Sequence, residues 1–135
     1  DFVIHSIAWS PLDELHGRLV DSSSAGFSLA MDISCHSFIR TARLAEAQMK
    51  DNGGTLITMT YYGSEKVVNH YGIMGPIKAA LESSVRYMAS ELGASGIRVH
   101  AVSPGPMPTR AGSGIVWASQ TGSQMFVDAG HHIMA

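Results

Sequence analysis

The sequence contains one cysteine, few charged side chains and no long apolar run among its 135 residues. A lone Cys35 excludes an internal disulfide, so we expect a reducing compartment, the cytoplasm, and interpret the thiol as small core filler. Charged residues make up 15% of the chain and the formal net charge is −2, which favours neither nucleic acid nor an anionic membrane surface as a partner. No segment has the length of a membrane span. A single domain at most is expected.

Metal ligands are also not evident in the sequence. The 7 histidines show no ligand spacing with cysteine or with carboxylates, so no metal site is predicted. The chain begins at Asp1, inside an apolar run and without an initiator methionine, and we therefore expect that upstream sequence is absent. The absence of disulfides, metals and membrane spans leaves a globular protein held by its apolar core.

Apolar runs alternate with segments of helical periodicity along the chain. The predicted strands are residues 2–9, 55–60, 97–102 and 125–128, and the predicted long helices are residues 25–50 and 71–92. Residues 11–24 are predicted to form a loop or a short helix with a serine cap, and the glycines after each long helix indicate its end. Strands that alternate with helices predict an α/β fold with a parallel sheet and right-handed connections, its first strand buried on both faces.

One pair of polar residues in the second long helix suggests proton chemistry. Tyr71 and Lys78 are seven positions apart, so on a helix they would lie roughly 20° apart on one face. A neighbouring ammonium favours the phenolate, and we expect it to lower the pKa of Tyr71 and improve it as a proton donor. The alternative is an ordinary amphipathic helix with a surface lysine, since such pairs are common.

Several passages resemble the short-chain dehydrogenase/reductase superfamily, and within it the NADH-dependent enoyl-acyl-carrier-protein reductases of bacterial fatty acid synthesis. The matching passages are His5-Ser-Ile-Ala-Trp, Tyr61 with Tyr71-x6-Lys78 and the helix that follows, Gly96-Ile-Arg-Val-His-Ala-Val-Ser-Pro-Gly-Pro-Met-x-Thr, and the segment from Thr121 to Ile133. Ketoreductases of the superfamily use Tyr-x3-Lys, but Gly75 stands at that position here. The Tyr-x6-Lys spacing with a second tyrosine ten residues upstream resembles the enoyl reductase branch.

The resemblance implies a Rossmann-like doubly wound fold and a set of roles. Tyr61, Tyr71 and Lys78 would be catalytic, and NADH would be the cofactor. Contacts to the cofactor are implied for Ser6, Ile7, Ala8, Lys78, Met107 and Thr109, and contacts to the substrate for Ala8, Trp9, Tyr61, Tyr71 and Met74. The implied partners are an enoyl substrate linked to acyl carrier protein and further copies of the chain, in a homotetramer or at least a homodimer. Neither nucleic acid nor membrane is implied.

Two features of the family are missing from the sequence. The Gly-rich turn that holds the pyrophosphate is not present, and a substrate-binding segment is lacking between Ile115 and Val116. We therefore expect residues 1–135 to form a single partial domain, the C-terminal half of the fold. Two alternatives stay open. One is another short-chain reductase with unusual tyrosine spacing, and the other is a non-catalytic fragment that serves only subunit association.

Overall fold

A computed structural model describes residues 1–105 of the chain, and its centre is a parallel sheet of 3 strands in the order β1-β2-β3. The strands are β1 (Phe2–His5), β2 (Gly54–Met59) and β3 (Ile97–Val102). The predicted second and third strands are thus confirmed. The first prediction was too long, because β1 ends at His5 and residues 6–9 continue without sheet pairing. The predicted strand at 125–128 lies outside the described residues.

Two helical segments connect the strands. After α1 (Leu12–His16), a continuous helical segment is formed by α2 (Ser24–Met31), a π-helical turn (Asp32–His36) and α3 (Ser37–Met49). The predicted helix over 25–50 is therefore confirmed, although the periodicity did not indicate the π turn. The Ser23 hydroxyl caps α2 by accepting a hydrogen bond from the backbone N–H of Gly26.

The second long helix is α4 (Met74–Leu92), which begins later than predicted. Both turns that lead from a long helix into a strand contain a glycine with positive φ, Gly53 at 68° and Gly96 at 70°. Residues with a Cβ rarely adopt this conformation, so these glycines set the points where the chain turns into β2 and β3. The sequence prediction of both stops is confirmed.

Only one face of the sheet is covered by helices in the part of the chain that the structure describes. Leu56, Thr58 and Val99 are buried on that face, whereas Phe2 and Ile4 on the other face are 70% and 54% exposed. A strand order of 1-2-3 with right-handed connections places both intervening helices on the same side of a sheet. The expectation that the first strand is buried on both faces is therefore wrong for residues 1–105.

A single apolar core lies between this face and the helices. Its fully buried large side chains come from α3, α4, the turn before α4 and the strands: Phe38, Leu56, Ile73, Ile77, Leu81 and Ile97. Cys35 belongs to the same core, as the sequence analysis predicted. Among residues 1–105, no helix is both long and apolar enough to cross a bilayer.

Candidate active site at the carboxyl end of the sheet

Two tyrosines meet beyond the carboxyl end of β2. The ring centroids of Tyr61 and Tyr71 lie 5.0 Å apart with an interplanar angle of 68°, an edge-to-face contact. Tyr61 follows the buried Thr60, whose backbone N–H extends the pairing with β3 by donating to Val102. Gly63 permits the contact, because a Cβ there would collide with the Tyr71 ring. The structure thus brings together two of the three predicted catalytic residues.

Tyr71 reaches this position from a turn and not from the helix. Since α4 begins at Met74, the prediction that Tyr71 and Lys78 share one helix is wrong. The backbone before α4 is irregular: His70 has a φ of 59°, and Gly72 packs against the carbonyl groups of Glu14 and Leu15 with no room for a Cβ. These two residues redirect the chain and place the Tyr71 ring in the core, where it is 5% exposed.

The phenol of Tyr71 is held in its protonated form. Burial raises the pKa of Tyr71 above its usual 10.0, and electrostatic repulsion from Tyr61 and Glu82 raises it further. The expected lowering of this pKa by Lys78 is therefore wrong, because desolvation of the phenolate dominates. A buried, protonated phenol is a hydrogen-bond donor at every physiological pH.

Lys78 lies on the side of α4 that faces the sheet. It is 5% exposed, and its Nζ donates a 2.7 Å hydrogen bond to the backbone carbonyl of Met59, the last residue of β2. Burial lowers the pKa of Lys78 from 10.5 to about 8, against the opposing influence of Glu82 and Cys35. The ammonium form therefore predominates at pH 7, and two of its three N–H donors remain available for a ligand.

The segment after β1 lies at the same edge of the sheet. Ser6, Ile7 and Ala8 are exposed and follow the carboxyl end of β1 directly. Ser34, in the π turn, fixes the end of this segment: its Oγ accepts from the Trp9 N–H at 2.7 Å and donates to the Trp9 carbonyl at 2.8 Å. The carboxyl ends of parallel strands are where α/β proteins bind their ligands.

Of the remaining predicted site residues, one lies within the described part of the chain and two lie outside it. Met74 is the first residue of α4 and is 5% exposed. Met107 and Thr109 lie outside the described residues. Among residues 1–105, no group of three or more histidine, cysteine or acidic side chains could hold a metal ion.

Sequence reasoning assigned no role to several polar residues of this region. His5 is buried between β2 and α3, with Nδ1 3.1 Å from the Thr58 Oγ1 and Nε2 2.8 Å from the Ser37 Oγ. Thr60 donates from its hydroxyl to the Glu82 carboxylate. The partners of these side chains are distant in sequence, so the sequence could not indicate the hydrogen bonds. Its one signal for them was the presence of polar residues inside apolar runs.

Comparison with known proteins identifies relatives for this arrangement. A family profile described as enoyl-(acyl carrier protein) reductase matches residues 1–129. A curated relative from Rhizobium meliloti (strain 1021), named enoyl-[acyl-carrier-protein] reductase [NADH] 1, is 56% identical over 115 residues, which are 85% of this chain and 42% of that protein. A relative from Aquifex aeolicus (strain VF5), named enoyl-[acyl-carrier-protein] reductase [NADH] FabI, is 47% identical over 111 residues, 82% of this chain and 41% of that protein.

Solved structures give the same result. The enoyl-(acyl-carrier-protein) reductase from Anaplasma phagocytophilum in complex with NAD matches with a TM-score of 0.80 and 53% identity, over 85% of this chain and 44% of that one. The Bacillus cereus enoyl-acyl carrier protein reductase with NADP+ and indole naphthyridinone matches with a TM-score of 0.81 and 46% identity, over 85% and 44%. The chain spans less than half the length of these proteins. It belongs to the enoyl-(acyl-carrier-protein) reductase family.

Proposed function

We propose that this chain is the catalytic half of an NADH-dependent enoyl-acyl-carrier-protein reductase. It would reduce the trans-2 double bond of enoyl thioesters in fatty acid biosynthesis, with Tyr61, Tyr71 and Lys78 as catalytic residues. The observation that carries the proposal is the Tyr61–Tyr71 contact beyond β2, with the Lys78 ammonium bound to the last carbonyl of the same strand. Phenol and ammonium donors thus converge on one edge of the sheet, where a reacting carbonyl could be held.

Tyr71 is proposed to stabilise the charge that develops in the reaction by donating a hydrogen bond to it. When bound, NADH would supply a hydride to the β-carbon of the enoyl thioester. Negative charge then develops on the thioester oxygen, and the Tyr71 hydroxyl donates a hydrogen bond to that oxygen. Because its burial raises the pKa, Tyr71 stays protonated until this charge forms. The proton reaches the substrate directly or through a water chain, and Tyr61 assists or lines the acyl pocket.

The residues around Lys78 fit the nicotinamide end of the cofactor. The buried ammonium has two N–H donors free of the Met59 carbonyl, a suitable set for the two hydroxyl groups of a ribose. Ser6, Ile7 and Ala8 at the end of β1, together with Met107 and Thr109, are proposed to contact the cofactor. The small side chain of Ala8 would let a planar ring approach the backbone.

The substrate is proposed to lie between the two strand ends. Ala8 and Trp9 would form one side of its pocket, and Tyr61, Tyr71 and Met74 the other. Ser34 supports this pocket because it fixes the backbone of Trp9 by two hydrogen bonds. The thioester would be linked to acyl carrier protein.

The outer surfaces of α3 and α4 support a homo-oligomer. A shallow cavity of about 370 Å³ lies between the two helices, and the apolar side chains of Ile39, Ala80 and Met88 contribute to its lining. Tyr87 on α4, which also lines this cavity, is 70% exposed. We propose that a second copy covers this surface in a homodimer or homotetramer, that residues 1–135 form one partial Rossmann-like domain, and that the protein is cytoplasmic.

Turnover by the protein purified from its native gene tests the function. We expect oxidation of NADH with a crotonyl thioester and little with a ketoacyl thioester; the reverse preference would refute the enoyl reductase assignment. The intact mass belongs to the same experiment. A folded oligomer of 14.4 kDa subunits that binds no nucleotide would favour a role in association alone.

The Tyr71→Phe variant tests the assigned donor. Loss of one hydrogen bond to the developing charge is expected to lower kcat by roughly 10²- to 10³-fold. Tyr62→Phe is the matched control. Tyr62 follows Tyr61 in the chain, is 46% exposed and takes no part in the contact between the Tyr61 and Tyr71 rings. Equal effects of the two substitutions would contradict the assignment.

A further inference from the structure

We infer that Glu82 is a positioning residue for this reaction: it fixes the end of β2 through Thr60, and its carboxylate charge acts on Lys78 one helical turn away. The inference rests on the proposed function, because Lys78 acts there as the cofactor-binding cation. Glu82 is argued to act through its hydrogen bond to Thr60 and through its charge.

Two consecutive turns of α4 hold two consecutive residues of the chain. The Lys78 Nζ donates to the Met59 carbonyl at 2.7 Å, and the Glu82 carboxylate, one turn later, accepts from the Thr60 hydroxyl. Tyr61 follows Thr60 directly. The two hydrogen bonds therefore fix the strand end from which the Tyr61 ring projects toward Tyr71.

The same carboxylate acts on the lysine through space. Lys78 is buried, and the ion pairs among residues 1–105 do not include it, so no direct partner neutralises its charge. Glu82 on α4 and Cys35 on the π turn both raise its pKa, and its own charge lowers the pKa of His5 on β1. Of these, Glu82 has the largest effect that favours the ammonium and opposes the desolvation that lowers the pKa of Lys78.

Glu82 also acts on the second catalytic group. Its negative charge raises the pKa of Tyr71, in addition to the larger effect of burial. One carboxylate therefore favours the protonated forms of both the lysine and the phenol. If Glu82 only connected α4 to β2, its hydrogen bond to Thr60 would matter and its negative charge would not. Substitutions that remove one of the two and keep the other test this difference.

Two substitutions separate the charge from the hydrogen bond. Glu82→Gln retains an oxygen that can accept from Thr60 but removes the negative charge. Thr60→Val removes the donor and retains the charge. Asp51→Asn is the matched control for net charge, because Asp51 is exposed in the turn before β2, at the opposite end of the sheet.

The first readout does not depend on activity. The free energy of unfolding in urea is measured from pH 6 to 11 on the protein from its native gene. The folded-state pKa of Lys78 is about 8 and its ordinary value is 10.5, so between these pH values the unfolded state binds more protons than the folded state. The free energy of unfolding of the wild type is therefore expected to rise from about pH 8 to pH 10.5. In Glu82→Gln the rise is expected to begin at lower pH by roughly one unit. In Asp51→Asn it is expected to begin where it does in the wild type.

The second readout is the pH dependence of NADH-linked reduction of a crotonyl thioester. Loss of the ammonium above pH 8 is expected to give an alkaline limb in kcat/KM. Glu82→Gln is expected to move this limb to lower pH by roughly one unit and to raise the KM for NADH. Thr60→Val is expected to lower kcat and leave the limb in place.

Coincident unfolding profiles for Glu82→Gln and the wild type would overturn the inference. If Glu82→Gln does not fold, Thr60→Val provides the test. The carboxylate of Glu82 is intact in that variant, so a displaced alkaline limb would also overturn the inference. The wild type separates the two proposals. Failure to reduce the crotonyl thioester would refute the proposed function, whereas the unfolding comparison would still test the action of Glu82 on Lys78.

Discussion

The two faces of the sheet carry similar aliphatic residues, but these are buried on one face and exposed on the other. Leu56 on the covered face is 0% exposed, whereas Ile4 on the open face is 54% exposed, although both are aliphatic residues in paired strands. The strand order 1-2-3 with two right-handed connections places α3 and α4 on one side, so topology and not residue type decides which face is buried within residues 1–105. The buried site residues Tyr71 and Lys78 belong to the covered side.

The largest expected effect is loss of the charged group buried on the covered side. Lys78→Met keeps the apolar stem and removes the ammonium, so we expect kcat/KM for the crotonyl thioester to fall by roughly 10²-fold or more. The same substitution is expected to make the folded protein more stable. The lowering of the Lys78 pKa from 10.5 to about 8 means that the buried ammonium destabilises the folded state by about 3 kcal/mol at pH 7.

The net gain in stability is smaller, because the substitution also removes the hydrogen bond to Met59, worth about 1 kcal/mol. We expect Lys78→Met to be more stable than the wild type at pH 7 by about 1–2 kcal/mol in urea unfolding. The difference should shrink as the pH rises from 8 to 10.5, since the wild-type lysine loses its charge in that interval. A variant less stable than the wild type at every pH would contradict this account of Lys78.

A pair of truncations compares the faces directly. Leu56→Ala removes a fully buried side chain beneath α3 and α4 and is expected to lower the free energy of unfolding of the 135-residue chain by about 2–5 kcal/mol. Ile4→Ala removes a side chain that residues 1–105 leave open, and a loss below about 1 kcal/mol is expected. Equal losses in the two variants would mean that other residues cover the open face.

The sequence was sufficient to predict the elements whose signals are local. The helical segment over residues 24–49 and its end at Gly53 follow from helical spacing and a glycine that adopts positive φ. The strands β2 and β3 follow from short β-branched runs between turn residues. Tyr61, Tyr71 and Lys78 could be predicted as site residues because spacing and family resemblance depend on sequence alone.

Features set by contacts between distant segments could not be predicted. Tyr71 leaves the helix because Gly72 packs against the carbonyl groups of Glu14 and Leu15, a contact across more than 50 positions that periodicity does not record. The pKa of Tyr71 was predicted in the wrong direction because the sequence shows a nearby lysine but not the burial of the phenol. The pairing of Thr60 with Glu82 joins a strand to a helix and was missed for the same reason.

The smallest expected effect concerns the polar group buried at the end of β1. His5 is 4% exposed and bridges Thr58 and Ser37, and burial together with the Lys78 charge lowers its pKa below 6.5. The unfolded state therefore binds a proton at pH values where folded His5 stays neutral, so this stabilisation is complete above pH 6.5 and is lost as the pH falls below it.

We expect His5→Gln, whose amide can still bond both hydroxyl groups, to reduce the decline in unfolding free energy between pH 7 and pH 5. A single group changes this free energy by at most about 1.4 kcal/mol per pH unit, so the effect is modest. His100→Gln makes the same substitution in β3, on the open face where Ile57 pairs with His100. An equal loss of slope in both variants would show that the buried environment of His5 is not its cause.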